Sequence, residues 1–241
     1  MYLKTALYTN LQSVDADQHK GYYFEAQANY KFAENFHACP VALVEFPLLS
    51  KNYPIAFVEI ENRVTPIAVL GIRKERNVFI DSKQQWLANT YVPTLIRTYP
   101  FTIDKQATTL QLSMAANAKQ LNKDKLGVRL FEEDGTLGEQ MQLALNFLKS
   151  FHPELEKTQD FCEHLQASAV LQQNPTQFIL PTGEASTINS YLTVDKNKLH
   201  ALKDSELALL ARKGFLEGIY SHLNSLHHFE HLINLTRSSR R

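Results

Sequence analysis

Near its carboxyl end the sequence reads His227-His228-Phe229-Glu230-His231, an H-x-x-E-H pattern. Set on a helix, His227 and His231 stand four residues apart on one face with Glu230 beside them. In that arrangement two imidazoles hold a zinc ion and a carboxylate works on the water bound to it. A catalytic zinc needs a third protein ligand, and in that enzyme class it is a carboxylate well downstream. Only ten residues follow His231, and none is acidic. The pattern therefore reads first as a polar helix face, then as a regulatory or adventitious metal binder, and last as a catalytic centre. No metal site and no cofactor is assigned. His222 flanks the apolar stripe of the same helix, where a partly buried histidine bonded to a neighbour is the ordinary arrangement and a role at a ligand site the functional one.

Other constellations are thinner. The acids Glu59 and Glu61 flank a hairpin turn, and Glu132, Glu133 and Asp134 open a helix, where negative charge favours the dipole. Neither grouping marks a cleft of the kind glycoside hydrolysis needs. There is no G-x-S-x-G elbow, P-loop or G-x-G-x-x-G, and eight glycines in 241 residues leave little material for a phosphate cradle.

The remaining candidate is aromatic. The stretch WLANTYVPTLIRTYPF, residues 86–101, holds the single tryptophan, two prolines, two tyrosines and an arginine. Pro93 and Pro100 fix their own φ and restrict Val92 and Tyr99 to extended backbone. Residues 93–97 have room for one helical turn. Trp86, Tyr91, Tyr99 and Phe101 offer large apolar area, and Arg97 a planar donor fork suited to a carboxylate or phosphate. The segment reads either as a plug at one end of a sheet, with Arg97 paired to a structural acid, or as the wall of a ligand groove. Trp86, Tyr91, Arg97, Tyr99, Phe101 and His222 are the candidate ligand-binding residues.

The elements that must position these groups follow from pattern. VALVEF (Val41 to Phe46), IAFVEI (Ile55 to Ile60), TPIAVLGI (Thr65 to Ile72) and NVFID (Asn77 to Asp81) read as strands, with a tight turn at Glu61-Asn62-Arg63. Thr108 to Met114 and Leu126 to Phe131 add two at the sheet's margin. Thr136, three residues before Glu139, looks like a capping box for an amphipathic helix over 137–151. His152-Pro153 is expected to end that helix and start another, and Asn174-Pro175 to break the second. Phe178 to Leu180 and Ser186 to Val194 form a hairpin around Thr182-Gly183-Glu184. Asp195 caps a short helix, Asp204 or Ser205 another that stops at Gly214, and a final helix runs from Phe215 to about Leu235. The expected fold is α+β, a mostly antiparallel sheet from the N-terminal half packed with helices from the C-terminal half. One domain over 1–241 is expected, with residues 1–20 and 236–241 flexible and a composition shift near 132 as the candidate boundary.

Bulk composition excludes more than it identifies. Hydrophobic residues make up 44% and charged residues 21%, with zero formal net charge, so no basic field gathers nucleic acid. The basic tail, Arg237 with Arg240 and Arg241, reads as a solvated end. Cys39 and Cys162 stand far apart and form no CxxC. No apolar run approaches the roughly 18 to 20 residues of a membrane span. The expectation is a cytoplasmic protein with no membrane span, with homo-oligomerisation left open.

Taken in order, several landmarks resemble one bacterial family, SapC, named from surface-layer gene clusters. Glu45-Phe46 with Tyr53-Pro54-Ile55-Ala56-Phe57 is similar to the family's EF…YPIVF, and Pro66 to Gly71, then Asn77 to Ile80, follow. Trp86, Tyr91-Val92-Pro93 and Arg97-Thr98-Tyr99-Pro100-Phe101 resemble W…YVP…RRYPF. Leu130-Phe131 with Asp134-Gly135, Tyr191 to Asp195 with Leu199 and Leu202, and Ile219 to Leu223 with Ser225-Leu226 continue the series. The resemblance spans about residues 37 to 226. Thr98 stands where the family has a second arginine, and the histidine cluster lies outside the pattern. The family is associated with surface-layer assembly or export, and with genes for outer-membrane receptors and flavin-dependent tryptophan halogenases. The resemblance implies a cytoplasmic accessory role and states no activity; the aromatic and arginine residues add the expectation of a groove, lined by Trp86, Tyr91, Arg97, Tyr99 and Phe101, that recognises a peptide, a polypeptide or a small ligand. The alternative is a metal-dependent enzyme acting on a peptide or small molecule, with His222 or the terminal histidines as ligands.

Overall fold

A computed structural model describes residues 6–8, 10–26, 29–73, 75–106, 109–173, 176–179, 185–188 and 191–238. In chain order its strands are β1 (Leu11–Ser13), β2 (Tyr23–Phe24), β3 (Ala38–Pro40), β4 (Ile55–Ile60), β5 (Arg63–Val69), β6 (Phe101–Gln106), β7 (Thr109–Ala115), β8 (Leu121–Asn122), β9 (Val128–Arg129), β10 (Leu171–Gln173), β11 (Thr176–Ile179), β12 (Ala185–Ile188) and β13 (Leu192–Val194). The helices are α1 (Ala16–His19), α2 (Phe46–Leu49), α3 (Thr94–Arg97), α4 (Glu139–Ala167), α5 (Lys196–His200), α6 (Asp204–Arg212), α7 (Phe215–Ser225) and α8 (His228–Ser238). The architecture is α+β, with antiparallel sheets mostly from the N-terminal half and helices mostly from the C-terminal half. Among the described residues no helix is long and apolar enough to cross a membrane.

The chain divides into two compact units. One comprises residues 1–32 and 94–153, the other residues 33–93 and 154–241. In the first, β6 and β7 form a hairpin in the register Phe101 against Met114, with β1 on the far edge of β7. A second small sheet has the order β8-β2-β9. Phe101, Leu112, Met114, Leu130, Phe131, Met141 and Leu148 make its core, so the inner face of α4's first half closes over both sheets.

The second unit is built on the sheet β10-β13-β4-β5-β3. Its central hairpin, β4 and β5, turns at Glu61 and Asn62, both with positive φ, as a two-residue type I′ connection requires. Ile55, Ala56, Phe57, Ile67, Ala68 and Val69 are all buried, which is why this part of the hairpin reads as unbroken apolar sequence. An edge-to-face relay of Phe46, Phe161 and Phe215 fills the helical side, with ring centroids 5.9 and 5.3 Å apart.

Several sequence expectations are corrected. VALVEF is not a strand. The Glu45 carboxylate accepts the Ala42 N–H at 2.9 Å, and Pro47 sits in the first turn of α2, so the segment coils into a 3-10 turn and then a helix. NVFID is a loop, because side-chain acceptors turn the chain at both of its ends. Asn77 accepts from Phe79, and Asp81 accepts from Lys83 and Gln85. The chain touches strand geometry there only at the Ile80–Trp86 bridge. Thr136 does not cap α4, since its N–H and hydroxyl both donate to Asp134, closing the preceding turn and holding that carboxyl below its ordinary range. The helix runs through Pro153 to Ala167 instead of ending there. Buried residues on both sides of the proline (Leu148, then Phe161, Cys162 and Leu165) outweigh its local cost. The hairpin after α4 is present as β11 and β12, while its expected turn at 182–184 and the break at 174–175 lie outside the described residues, as do Arg240 and Arg241. Asp195 caps α5 through Asn197 and Lys198, and Gly214, at φ 73°, separates α6 from α7.

Gly71 shows how closely the second unit is folded. A Cβ there would lie 2.0 Å from the Arg76 carbonyl oxygen, a backbone atom that cannot swing aside. Gly71→Ala is expected to destabilise the protein by about 1–3 kcal/mol in chemical denaturation, with an unchanged far-ultraviolet dichroism spectrum at 25 °C.

Candidate functional site

Trp86 and Tyr91 belong to the second unit, and their polar atoms meet in one chain of hydrogen bonds. The Trp86 indole N–H donates to the Tyr53 hydroxyl at 3.0 Å, and that hydroxyl donates to the Tyr91 carbonyl at 2.6 Å. The Tyr91 hydroxyl donates to Glu45 Oε1 at 3.1 Å, while Glu45 Oε2 holds the Ala42 N–H. Trp86, Tyr53 and Glu45 are buried, and Tyr91 is half-buried. Burial pushes the Tyr53 phenol up to about 12, so it remains a donor at any physiological pH. Phe79 lies against both rings, with centroids 4.4 Å from Tyr53 and 6.5 Å from Trp86. Glu45, Tyr53, Trp86 and Tyr91, all landmarks of the sequence, thus close one network.

His222, also in the second unit, is fully buried on α7. Its Nδ1 lies 2.7 Å from the Ile55 carbonyl, and its Nε2 lies 3.0 Å from the Val194 N–H. A carbonyl can only accept and an N–H can only donate, so the ring is neutral, with its proton on Nδ1 and its Nε2 lone pair engaged. Burial drives its pKa down to about 4. β13 pairs with β4 at Leu192 and Phe57, and the same register two residues on sets Val194 against Ile55. The imidazole stands between those two residues and completes the ladder they would otherwise share. One turn along α7, Ser225 accepts the Ile55 N–H at 2.8 Å and donates to the His222 carbonyl.

Arg97, Tyr99 and Phe101 belong to the first unit. Phe101 is buried in its core, edge-on to Phe24 at 5.0 Å. Tyr99 is half-buried and stacks flat on Phe32, centroids 4.5 Å apart at 14°, and Phe32 leads on to Tyr30 at 6.2 Å. Tyr8 packs edge-on against Tyr99 at 5.8 Å, and its hydroxyl lies 3.1 Å from the Leu95 carbonyl and 3.2 Å from that of Phe101. The turn that carries Arg97 is clamped at both ends by one phenol. Arg97 ends α3, is exposed, and donates to the Thr94 hydroxyl at 2.9 Å. Burial raises the Tyr99 phenol above its ordinary value.

The expected final helix is two helices. Leu226 and Phe229 donate to carbonyls three residues back, tightening the chain, so His227 precedes α8 and does not share a helical face with His231. Among the described residues no three His, Cys, Asp or Glu side chains converge as a metal centre. Cys39 and Cys162 are free and buried, and burial raises both thiols, with the Glu45 charge adding to the effect at Cys39.

Tyr8, Tyr30, Phe32 and Tyr53 escaped the sequence reading of the site. Tyr30 and Phe32 sit among aromatics that recur without a period from Tyr22 to Phe36, and Tyr53 stands in the Tyr53-Pro54-Ile55-Ala56-Phe57 landmark, but the partners of Tyr8, Phe32 and Tyr53 lie far along the chain. Among known families, the model described as SapC matches residues 14–232. No curated protein and no solved structure matches the chain.

His222 makes stability depend on pH in a definite direction. Its folded pKa, near 4, lies below the ordinary value of about 6.5, so its contribution is complete above about pH 6.5 and is lost as pH falls toward 4. The loss amounts to about 3 kcal/mol across that window. Urea denaturation at pH 7 and pH 4.5 is expected to show it, and His222→Gln to flatten the difference between the two.

Proposed function

The chain belongs to the SapC family, and on that footing we propose that it is a non-catalytic binding protein, accessory to surface-layer or outer-membrane protein systems, that recognises a peptide or polypeptide through the Arg97–Tyr99 turn. The observation that carries this reading is the state of that turn. The Tyr99 ring is backed by Phe32 and edged by Tyr8, yet part of the residue stays exposed, and the exposed side chain of Arg97 lies two residues away. Rigid aromatic faces beside an arginine are the residue types that dominate binding energy at protein interfaces, because their area is large and little entropy is lost on contact. A guanidinium is the side chain best shaped to recognise a carboxylate, so the favoured ligand is a segment with a carboxylate next to an apolar or aromatic side chain.

Catalysis is less well supported. The buried histidine has both nitrogens committed to main-chain groups, the buried carboxylate holds an N–H and a phenol, and the thiols are driven toward their neutral form. Among the described residues of the second unit's interior, His222 and Glu45 are both bonded to structural partners.

A displayed library of random peptides, selected on the full chain, tests the reading. Selected peptides are expected to carry an acidic residue beside an apolar one and to bind Arg97→Ala at least tenfold more weakly. Arg97→Lys, which keeps the charge and loses the fork, should recover only part of the affinity. The melting temperature of Arg97→Ala should stay within about 2 °C of the parent. Selection of peptides that bind Arg97→Ala and the parent alike would remove the turn from the site.

A further inference from the structure

In the second unit, an open cleft of about 280 Å³ lies where the segment leading into α2 meets α4 and the start of α7. Its floor is apolar. Leu43, from the 3-10 turn before α2, is buried there, and so is Gly218 of α7. A Cβ on Gly218 would lie 2.3 Å from Leu43 Cδ1, so the bare helix backbone comes directly onto the leucine. Val44 and Pro47 carry the apolar lining outward, and both are exposed. Leu48, the next residue of α2, is 44% exposed, so apolar surface runs on beyond the cleft. The walls are tied together. The Leu43 N–H donates to the Thr158 hydroxyl at 2.8 Å, and that hydroxyl donates to the Glu154 carbonyl at 2.6 Å.

The rim is charged and its charges are unspent. Glu154 and Lys157 of α4 and Glu217 of α7 line it, and among the described residues none of the three makes an ion pair. Lys213 and Asp160, by contrast, neutralise each other at 2.6 Å. Lys157 stands three residues after Glu154 on one helix, within reach of balancing it, which leaves the Glu217 carboxylate in excess. Glu217 lies in the first turn of α7, and a helix N-terminus carries only about half a positive charge, so the carboxylate more than offsets it. The remaining demand of the cleft is for a cation. A small free cation would gain little there, because Val44, Pro47, Lys157, Gly214 and Glu217 are all exposed and shelter too little of it. A basic side chain on a polypeptide is held by its neighbours as well.

We propose that this cleft docks a partner polypeptide segment in which a lysine or arginine stands between apolar residues. The basic head meets Glu217 and Glu154 at the rim, and its aliphatic stem lies along the floor of Leu43 and Gly218. The apolar neighbours cover Val44, Pro47 and Leu48. This site is separate from the Arg97–Tyr99 turn, which belongs to the other unit and favours the opposite charge.

Fluorescence anisotropy of the full chain with labelled Gly-Ser peptides tests the site. The peptides carry Leu-Lys-Leu, Leu-Arg-Leu, Leu-Glu-Leu or Ser-Lys-Ser at their centre. The first two are expected to bind about tenfold more tightly than the last two. Glu154→Gln combined with Glu217→Gln should weaken Leu-Lys-Leu about tenfold, and Val44→Ser about threefold. The melting temperature of each variant should stay within about 2 °C of the parent, which separates lost binding from lost folding. Arg97→Ala should bind Leu-Lys-Leu as the parent does. Equal binding of Leu-Glu-Leu and Leu-Lys-Leu, no binding below about 1 mM, or affinity unchanged in either cleft variant would overturn the proposal. So would loss of Leu-Lys-Leu binding in Arg97→Ala, which moves the contact to the turn. Competition by n-butylamine as strong as by the peptide would make the ligand a free amine and contradict a polypeptide partner.

Discussion

A single neutral imidazole holds the second unit's sheet to its helices. At the end of β13 the direct ladder to β4 gives out, and His222 takes its place, accepting from Val194 and donating to Ile55. Ser225, one turn on, holds the N–H of the same isoleucine. Two side chains of α7 therefore satisfy both main-chain groups of one buried strand residue, Ile55, and the N–H of a second, Val194. An unsatisfied buried N–H or carbonyl costs about 1–3 kcal/mol, so the helix cannot leave the sheet without exposing several such debts at once. This fixes α7, and with it Gly218, whose missing side chain lets the helix settle on Leu43 and Phe161.

The same logic runs through the other polar groups of that unit. Tyr53, Trp86, Tyr91 and Glu45 are spaced along 47 residues of sequence, yet two short runs of donors and acceptors meet at Tyr91, one from the Trp86 indole through Tyr53 to the Tyr91 carbonyl, the other from the Tyr91 hydroxyl through Glu45 to the Ala42 N–H. Residues that could do chemistry are used there to specify a fold. In the first unit the balance differs. Tyr8 clamps the turn at Leu95 and Phe101, and beside the clamp stand a partly exposed, stacked tyrosine and an exposed arginine. A rigid support beneath an open aromatic face is what binding by a small contact area requires.

Much of the fold was legible in the sequence, and the misses share a cause. Ile55–Ile60 and its return strand announced themselves by an apolar run around a two-residue turn, and Asp195 and Gly214 marked helix ends by local chemistry alone. NVFID failed because the Asn77 and Asp81 side chains turn the chain at either end of the segment, and helix α4 crossed Pro153 because burial on both sides outweighed a local penalty. β6 was missed since FTIDKQ has little apolar signal of its own and is defined by β7 beside it. The candidate residues were found by type, but the sequence did not say which were spent inside. Trp86, Phe101 and His222 face inward, and Arg97 faces solvent. That distinction depends on partners such as Tyr8, Phe32 and Ile55, which no local window contains.

The state of the His222 ring is the point on which this account turns. Long-range nitrogen–proton correlation spectra of the full chain, recorded from pH 8 to pH 5, report it directly. The account predicts a single tautomer with the proton on Nδ1, a slowly exchanging ring N–H, and no titration midpoint for His222 within that range. A His222 ring that protonates near pH 6.5, or that carries its proton on Nε2, would contradict it.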